Sequence, residues 1–101
     1  MDCKVILSNR ATQDLEEVVR YVSLDNPPAA ERLGYALIDA ALSLGNLSER
    51  GRIVPEFDDG VTREILYRPY RIVYRIDWEK KVVWVSRFWH AARGTPELGE
   101  S

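Results

Sequence analysis

The sequence predicts an α+β fold: an N-terminal strand, an α-helical hairpin, and a mainly antiparallel four-stranded sheet against which the hairpin packs. Three observations carry this. Apolar residues recur at helical spacing in two successive segments. Short β-prone runs stand at residues 4–7, 61–67, 70–77 and 82–89, separated by turn chemistry. The order β-α-α-β-β-β keeps the helices together and most strands together, which is the α+β pattern.

Each element has its own reason. Lys4 to Leu7 is short, apolar and β-prone, and Ser8-Asn9 follow as a cap or turn. Ala11, Leu15, Val18, Val19 and Val22 then form an apolar stripe, with Asp14, Glu16, Glu17 and Arg20 read on the opposite face. This predicts a helix over residues 10–24. Asp25-Asn26-Pro27-Pro28 breaks it, Asn26 caps a second helix, and Pro27 takes its first position, where no N–H is needed. Leu33, Leu37, Ala40, Ala41 and Leu44 line that helix, and Gly45-Asn46 ends it. Residues 48–60 read as a loop long enough to carry function. Arg68-Pro69 and residues 78–81 connect the last three strands. The 101 residues make one domain, with 94–101 a loose tail.

Composition narrows the classes. Hydrophobic residues are 46% and charged residues 30%, ordinary for a globular chain. No apolar run approaches the roughly 20 residues of a membrane span. Asp2 and the short apolar stretch after it do not make a signal peptide, so cytoplasmic is the expected location. Cys3 is the only cysteine and His90 the only histidine, which excludes an intramolecular disulfide and a multi-cysteine metal site. No metal or other cofactor is expected.

Charge is divided along the chain. Residues 63–93 hold eight basic and three acidic side chains, whereas residues 1–62 hold six and eleven. The basic stretch is also the β-rich one, a surface suited to a polyanion or an acidic partner. A four-residue hairpin at 78–81 sets Asp77 opposite Val82, Arg75 opposite Trp84, Val73 opposite Ser86 and Arg71 opposite Phe88. One face then holds Tyr70, Ile72, Tyr74, Ile76, Val83 and Val85, the expected core, with Arg87 and Trp89 at its edge. The other collects Arg71, Arg75, Trp84, Ser86 and Phe88, with His90 at its margin. A one-residue shift would exchange the faces of the last strand.

The run PYRIVYRI, the apolar strand after it, the ending R-x-x-H-x-x-R from Arg87 to Arg93, and the upstream VPEF followed by REI resemble the RelE/ParE superfamily of type II toxin–antitoxin systems, plasmid stabilisation proteins among them. The resemblance covers nearly the whole chain. It implies a toxin neutralised by a cognate antitoxin that wraps around it, and a homodimer through the same apolar surface when free.

The superfamily divides by mechanism. RelE-like members cut mRNA in the ribosome. ParE-like members bind DNA gyrase and lack the nuclease residues. The ending RFWHAARG resembles the ParE side, and Trp89-His90 stand where a nuclease's tyrosine is expected. The leading expectation is therefore a growth-inhibiting toxin that binds its target, with Arg71, Arg75, Trp84, Phe88, Trp89 and Arg93 as target- or antitoxin-binding candidates. The alternative is a metal-independent mRNA endonuclease. Such an enzyme needs a base, a phosphate clamp and an acid, for which Glu56, Arg71 with Arg87, and His90 are the candidates. A third reading is a non-toxic antitoxin-binding module.

Overall fold

The computed structural model describes residues 2–98. Its elements are β1 (Lys4–Leu7), α1 (Asn9–Ser23), α2 (Pro27–Leu42), β2 (Arg52–Ile53), β3 (Arg63–Tyr67), β4 (Tyr70–Asp77) and β5 (Val82–His90). Both helix starts follow from their caps. Ser8 Oγ accepts from Ala11 N at 3.0 Å and Asn26 Oδ1 from Ala29 N at 3.1 Å. α1 and α2 pack closely at Gly34, where a Cβ would stand only 3.0 Å from Val19 Cγ2.

The sheet has five strands in the order β1-β5-β4-β3-β2, not the four expected. β2 arises inside the expected 48–60 loop, because Arg52 and Ile53 pair with Glu64 and Arg63. β1 runs parallel to β5 and every other pair is antiparallel. One face of the sheet packs on the helices. There Ala11, Leu37, Ala41 and Leu44 meet Ile65, Ile72, Tyr74, Val83, Val85 and Phe88. Each fully buried aliphatic side chain contributes roughly 1.5–3 kcal/mol. Tyr74 closes one end of this core: its Oη accepts from Gly51 N at 2.9 Å and donates to Ser48 O at 2.7 Å. Position 51 admits no side chain, since a Cβ would sit 2.5 Å from that hydroxyl and 2.6 Å from Glu64 O.

The β4–β5 register agrees with expectation near the hairpin and departs beyond it. Asp77 faces Val82 and Arg75 faces Trp84. Tyr74 then faces Val85 while Val73 faces Arg87, so Ser86 is an extra, unpaired residue. This bulge turns over the rest of β5. Phe88, expected on the helix-free face opposite Arg71, faces Ile72 in the core and is 2% exposed. Trp89 takes its place opposite Arg71, and Arg87 leaves the core face with it. His90, expected at the margin of the helix-free face, pairs with Tyr70 on the helix side, its ring edge-on at 5.3 Å. The two residues that fitted the core face badly are those the bulge removes from it.

The tail also differs from expectation. Gly94 O accepts from Arg71 Nη1 at 3.1 Å and from Trp89 Nε1 at 3.0 Å. Glu97 O accepts from Arg87 Nη1, and Pro96 is buried. Residues 94–98 therefore lie on the sheet rather than loose, because three side chains of β4 and β5 bind their backbone. Residues 99–101 of the expected tail lie outside the described residues.

Candidate functional site

The face of the sheet away from the helices has a closed half and an open half. The closed half is an ion-pair network. Glu64 on β3, 2% exposed, receives Arg71 Nε at 2.5 Å and Arg52 Nε at 2.8 Å. Arg71 Nη2 reaches Glu56 Oε2 at 3.2 Å, and its Nη1 is held by Gly94 O. Burial draws the Arg71 pKa down, but the bonds to Glu64 and Glu56 more than offset it, so the guanidinium is held charged. Glu56 is lowered, first by the hydrogen bond to its own backbone N–H and then by Arg71.

The turn before β3 steadies the loop that carries Glu56. Asp59 accepts from Val61 N and Thr62 N, each at 2.9 Å, and from Thr62 Oγ1 at 2.6 Å. These bonds from Thr62 and Val61 lower its pKa from 3.8 to about 2. A depressed carboxyl contributes stability above its unfolded pKa and loses it as pH falls through the folded one. The stability lost between about pH 4 and about pH 2 is therefore expected to be smaller in Asp59→Asn than in the wild type, measured by urea denaturation at each pH.

Arg87 forms a second buried centre. α1 runs on from the point where β1 stops pairing with β5, after Leu7 and Val85. Its Asp14 therefore reaches the β5 backbone and the Arg87 guanidinium together. Asp14 Oδ2 accepts Arg87 Nε at 2.7 Å and Phe88 N at 3.1 Å, and Oδ1 accepts Nη2 at 2.9 Å. Arg87 is 2% exposed, with its guanidinium 4.7 Å from the Trp89 ring centre. Arg93 lies over the same ring at 4.1 Å.

The nuclease candidates are held in separate contacts, Arg71 and Arg87 on the helix-free face and His90 on the other. Only Arg71 and Glu56 touch each other, and they do so as an ion pair. Arg87 is taken by Asp14, and His90 points to the helix side, where its Nδ1 accepts from Ala92 N at 3.1 Å. Among the described residues no group of three or more His, Cys, Asp or Glu side chains is placed to hold a metal ion.

The open half is a shallow cleft of about 800 Å³ over β1, β5 and β4, lined chiefly by Ile6, Arg75, Asp77, Trp78, Trp84 and Ser86. Trp84 is 41% exposed and Trp78 52%. Of the binding candidates, Arg75 and Trp84 lie here, while Arg71, Trp89 and Arg93 lie in the closed half and Phe88 in the core. The sequence does not mark Asp14, Glu64 and Arg52 as paired residues, and Trp78 reads there only as part of the 78–81 connection. Asp14 carried a signal, since it follows Ala11 by three residues and precedes Val18 by four, on the apolar stripe. Glu64 and Arg52 carried none, because β2 was not foreseen.

Residues 5–94 match the family model described as ParE toxin of type II toxin-antitoxin system, parDE. A toxin–antitoxin complex of Mycobacterium tuberculosis, RelBE2, contains a similar chain. It is 26% identical, with a TM-score of 0.68, over 89% of this chain and 99% of that one. A chain of the chromosomal ParDE system of P. aeruginosa shares the fold, with a TM-score of 0.71 and 20% identity over 87% of this chain and 95% of that one. Comparison with curated proteins gives no match.

Proposed function

Because the chain belongs to the ParE toxin family of type II toxin–antitoxin systems, we propose that it arrests growth by binding an essential target and not by cutting RNA. DNA gyrase is the target that family resemblance implies, and a cognate antitoxin neutralises the toxin. The observation that carries this reading is the consumption of the arginines. A phosphoryl-transfer site needs donors free to meet charge as it develops. Arg87 gives Nε and Nη2 to Asp14, and Arg71 gives Nε, Nη1 and Nη2 to Glu64, Gly94 and Glu56.

An antitoxin partner is supported from the other side of the molecule. The helices leave Tyr21, Leu24, Tyr35 and Leu42 largely exposed, with Tyr35 and Leu42 seven residues apart on one stripe of α2. Such side chains suit the apolar face of a partner helix. In its absence a second copy meets the same surface, giving the homodimer. No helix among the described residues is long and apolar enough to cross a membrane.

The test is purified toxin added in parallel to a gyrase supercoiling reaction and a translation reaction. Loss of supercoiling with intact mRNA is the expected result, reversed by the antitoxin. Codon-spaced mRNA cuts with normal supercoiling would replace this reading with the endonuclease one. Silence in both reactions, with antitoxin still bound, would leave a non-toxic antitoxin-binding module.

A further inference from the structure

We propose that the open cleft is the surface that engages the target, and that it takes an acidic protein segment bearing one large apolar side chain. This rests on the reading of the chain as a toxin that acts by binding, and adds where the target binds and with what chemistry.

The cleft differs from the rest of its face in leaving its binding groups free. Arg52 and Arg71 are in ion pairs with Glu64, Arg87 is paired with Asp14, and Arg93 lies on Trp89. Arg75 lines the cleft, is exposed, and has no ion-pair or hydrogen-bond partner for its side chain among the described residues. Its neighbours Trp84 and Trp78 expose large indole surfaces, and neither stacks on another ring among the described residues. An arginine outside any ion pair, lining one cleft with two exposed tryptophans, brings together residue types that dominate protein interface energies.

Charge around the cleft selects the occupant. Lys4 lies on the same face, two residues before Ile6, and Lys80 and Lys81 stand exposed on the hairpin at its end. With Arg75 they make four cations against Asp77, Glu79 and Asp59, the last near enough for the Arg75 charge to help lower its pKa. Asp77 is partly engaged, its Oδ1 accepting Lys80 N at 3.0 Å. The balance favours a carboxylate-bearing partner. It does not favour a nucleic-acid strand, whose closely spaced phosphates would bring one against Asp77. A peptide sets a single carboxylate against Arg75 and an apolar side chain against Ile6 and Trp84.

The platform is also preformed. Arg75 and Trp84 are paired across the two longest strands of the sheet. Ser8 Oγ donates to Ser86 O at 3.1 Å and fixes the bulge at the cleft's far side. Little ordering cost is left to the binding step.

Two variants of exposed residues, Arg75→Glu and Trp84→Ala, test the site. Both should fold, with circular dichroism and thermal midpoint close to the wild type. Both should bind antitoxin with affinity near the wild type. Each should lower growth inhibition at least about tenfold in the inducer dose needed, with Arg75→Lys restoring part of it. Wild-type growth inhibition in both variants overturns the proposal. So does loss of antitoxin binding in a folded variant, which would make the cleft the antitoxin's site.

A second measurement does not depend on toxicity. Purified protein is titrated with a synthetic ten-residue Asp/Glu-rich peptide carrying one central Phe, with tryptophan fluorescence as the readout. Saturable change that weakens at least about tenfold in Arg75→Glu, and is absent with the Lys-rich counterpart, is expected. A flat titration, or tighter binding of a ten-residue oligo-dT, overturns the ligand chemistry. If the wild type arrests nothing, the toxin reading fails, and the titration still decides whether the cleft binds an acidic segment.

Discussion

Arg87→Ala is expected to be the most damaging single substitution in the chain, destabilising it by about 3–5 kcal/mol. Asp14, 6% exposed in the native fold, would keep Phe88 N as its one remaining hydrogen-bond donor among the described residues. A carboxylate in that position lacks both its solvent and its cation, and that desolvation is the source of the cost. The Glu97 carbonyl would lose its donor as well, loosening the tail beyond Gly94. A domain of this size is typically stable by only about 5–15 kcal/mol, so much of the variant is expected unfolded at 37 °C. Urea denaturation measures the loss directly. Asp14→Ala should cost a similar amount, whereas the apolar pair Asp14→Leu with Arg87→Met should cost far less than either single change. Additive effects of the two alanine substitutions would show that the pair does not act as a unit.

Glu64→Ala ranks second, at about 3 kcal/mol or more, because it leaves Arg71 buried with one partly exposed carboxylate instead of two. The outer members of the same network should matter much less. The Arg52 side chain is 61% exposed and that of Glu56 37%, so Arg52→Ala and Glu56→Ala are each expected to cost about 0–1 kcal/mol. This ordering separates a network held by its buried centre from a ring of equal contacts. The tail gives a second readout. Arg71 holds the Gly94 carbonyl, so Glu64→Ala should raise amide exchange and protease cleavage just after Arg93. If Arg52→Ala and Glu64→Ala proved equally costly, the burial argument would be wrong.

These two centres change the meaning of the arginines. From sequence, Arg71 and Arg87 were the natural phosphate clamps, since both sit in a basic, aromatic, β-rich stretch. In the fold they are the most buried arginines: Arg71 is held by Glu64, seven residues away across the β3–β4 hairpin, and Arg87 by a carboxylate far away in sequence. Arg87 and Asp14 are 73 residues apart. Nothing local in either segment announces the pair. Arg75 shows the converse. It has the same local setting as Arg71, four residues earlier on the same face of β4, yet among the described residues no carboxylate lies within ion-pair distance of it, and Asp59 feels its charge only from farther off.

What the sequence determined by itself was local and periodic. The two amphipathic helices, their Ser8 and Asn26 caps, the limits of β1 and β4 and the hairpin pairing of Arg75 with Trp84 all follow from spacing and turn chemistry over a few residues. The superfamily resemblance also rested on the linear text, and the family match bears it out. What only the tertiary structure decided was everything that needed two distant segments to meet. The Ser86 bulge reversed Phe88 and His90, since one unpaired residue changes which side chains share a face. The fifth strand appeared where Arg52 and Ile53 found β3. Arginine roles were settled by which carboxylates the fold brought within reach, because a charge is either solvated or paired, and only packing sets which.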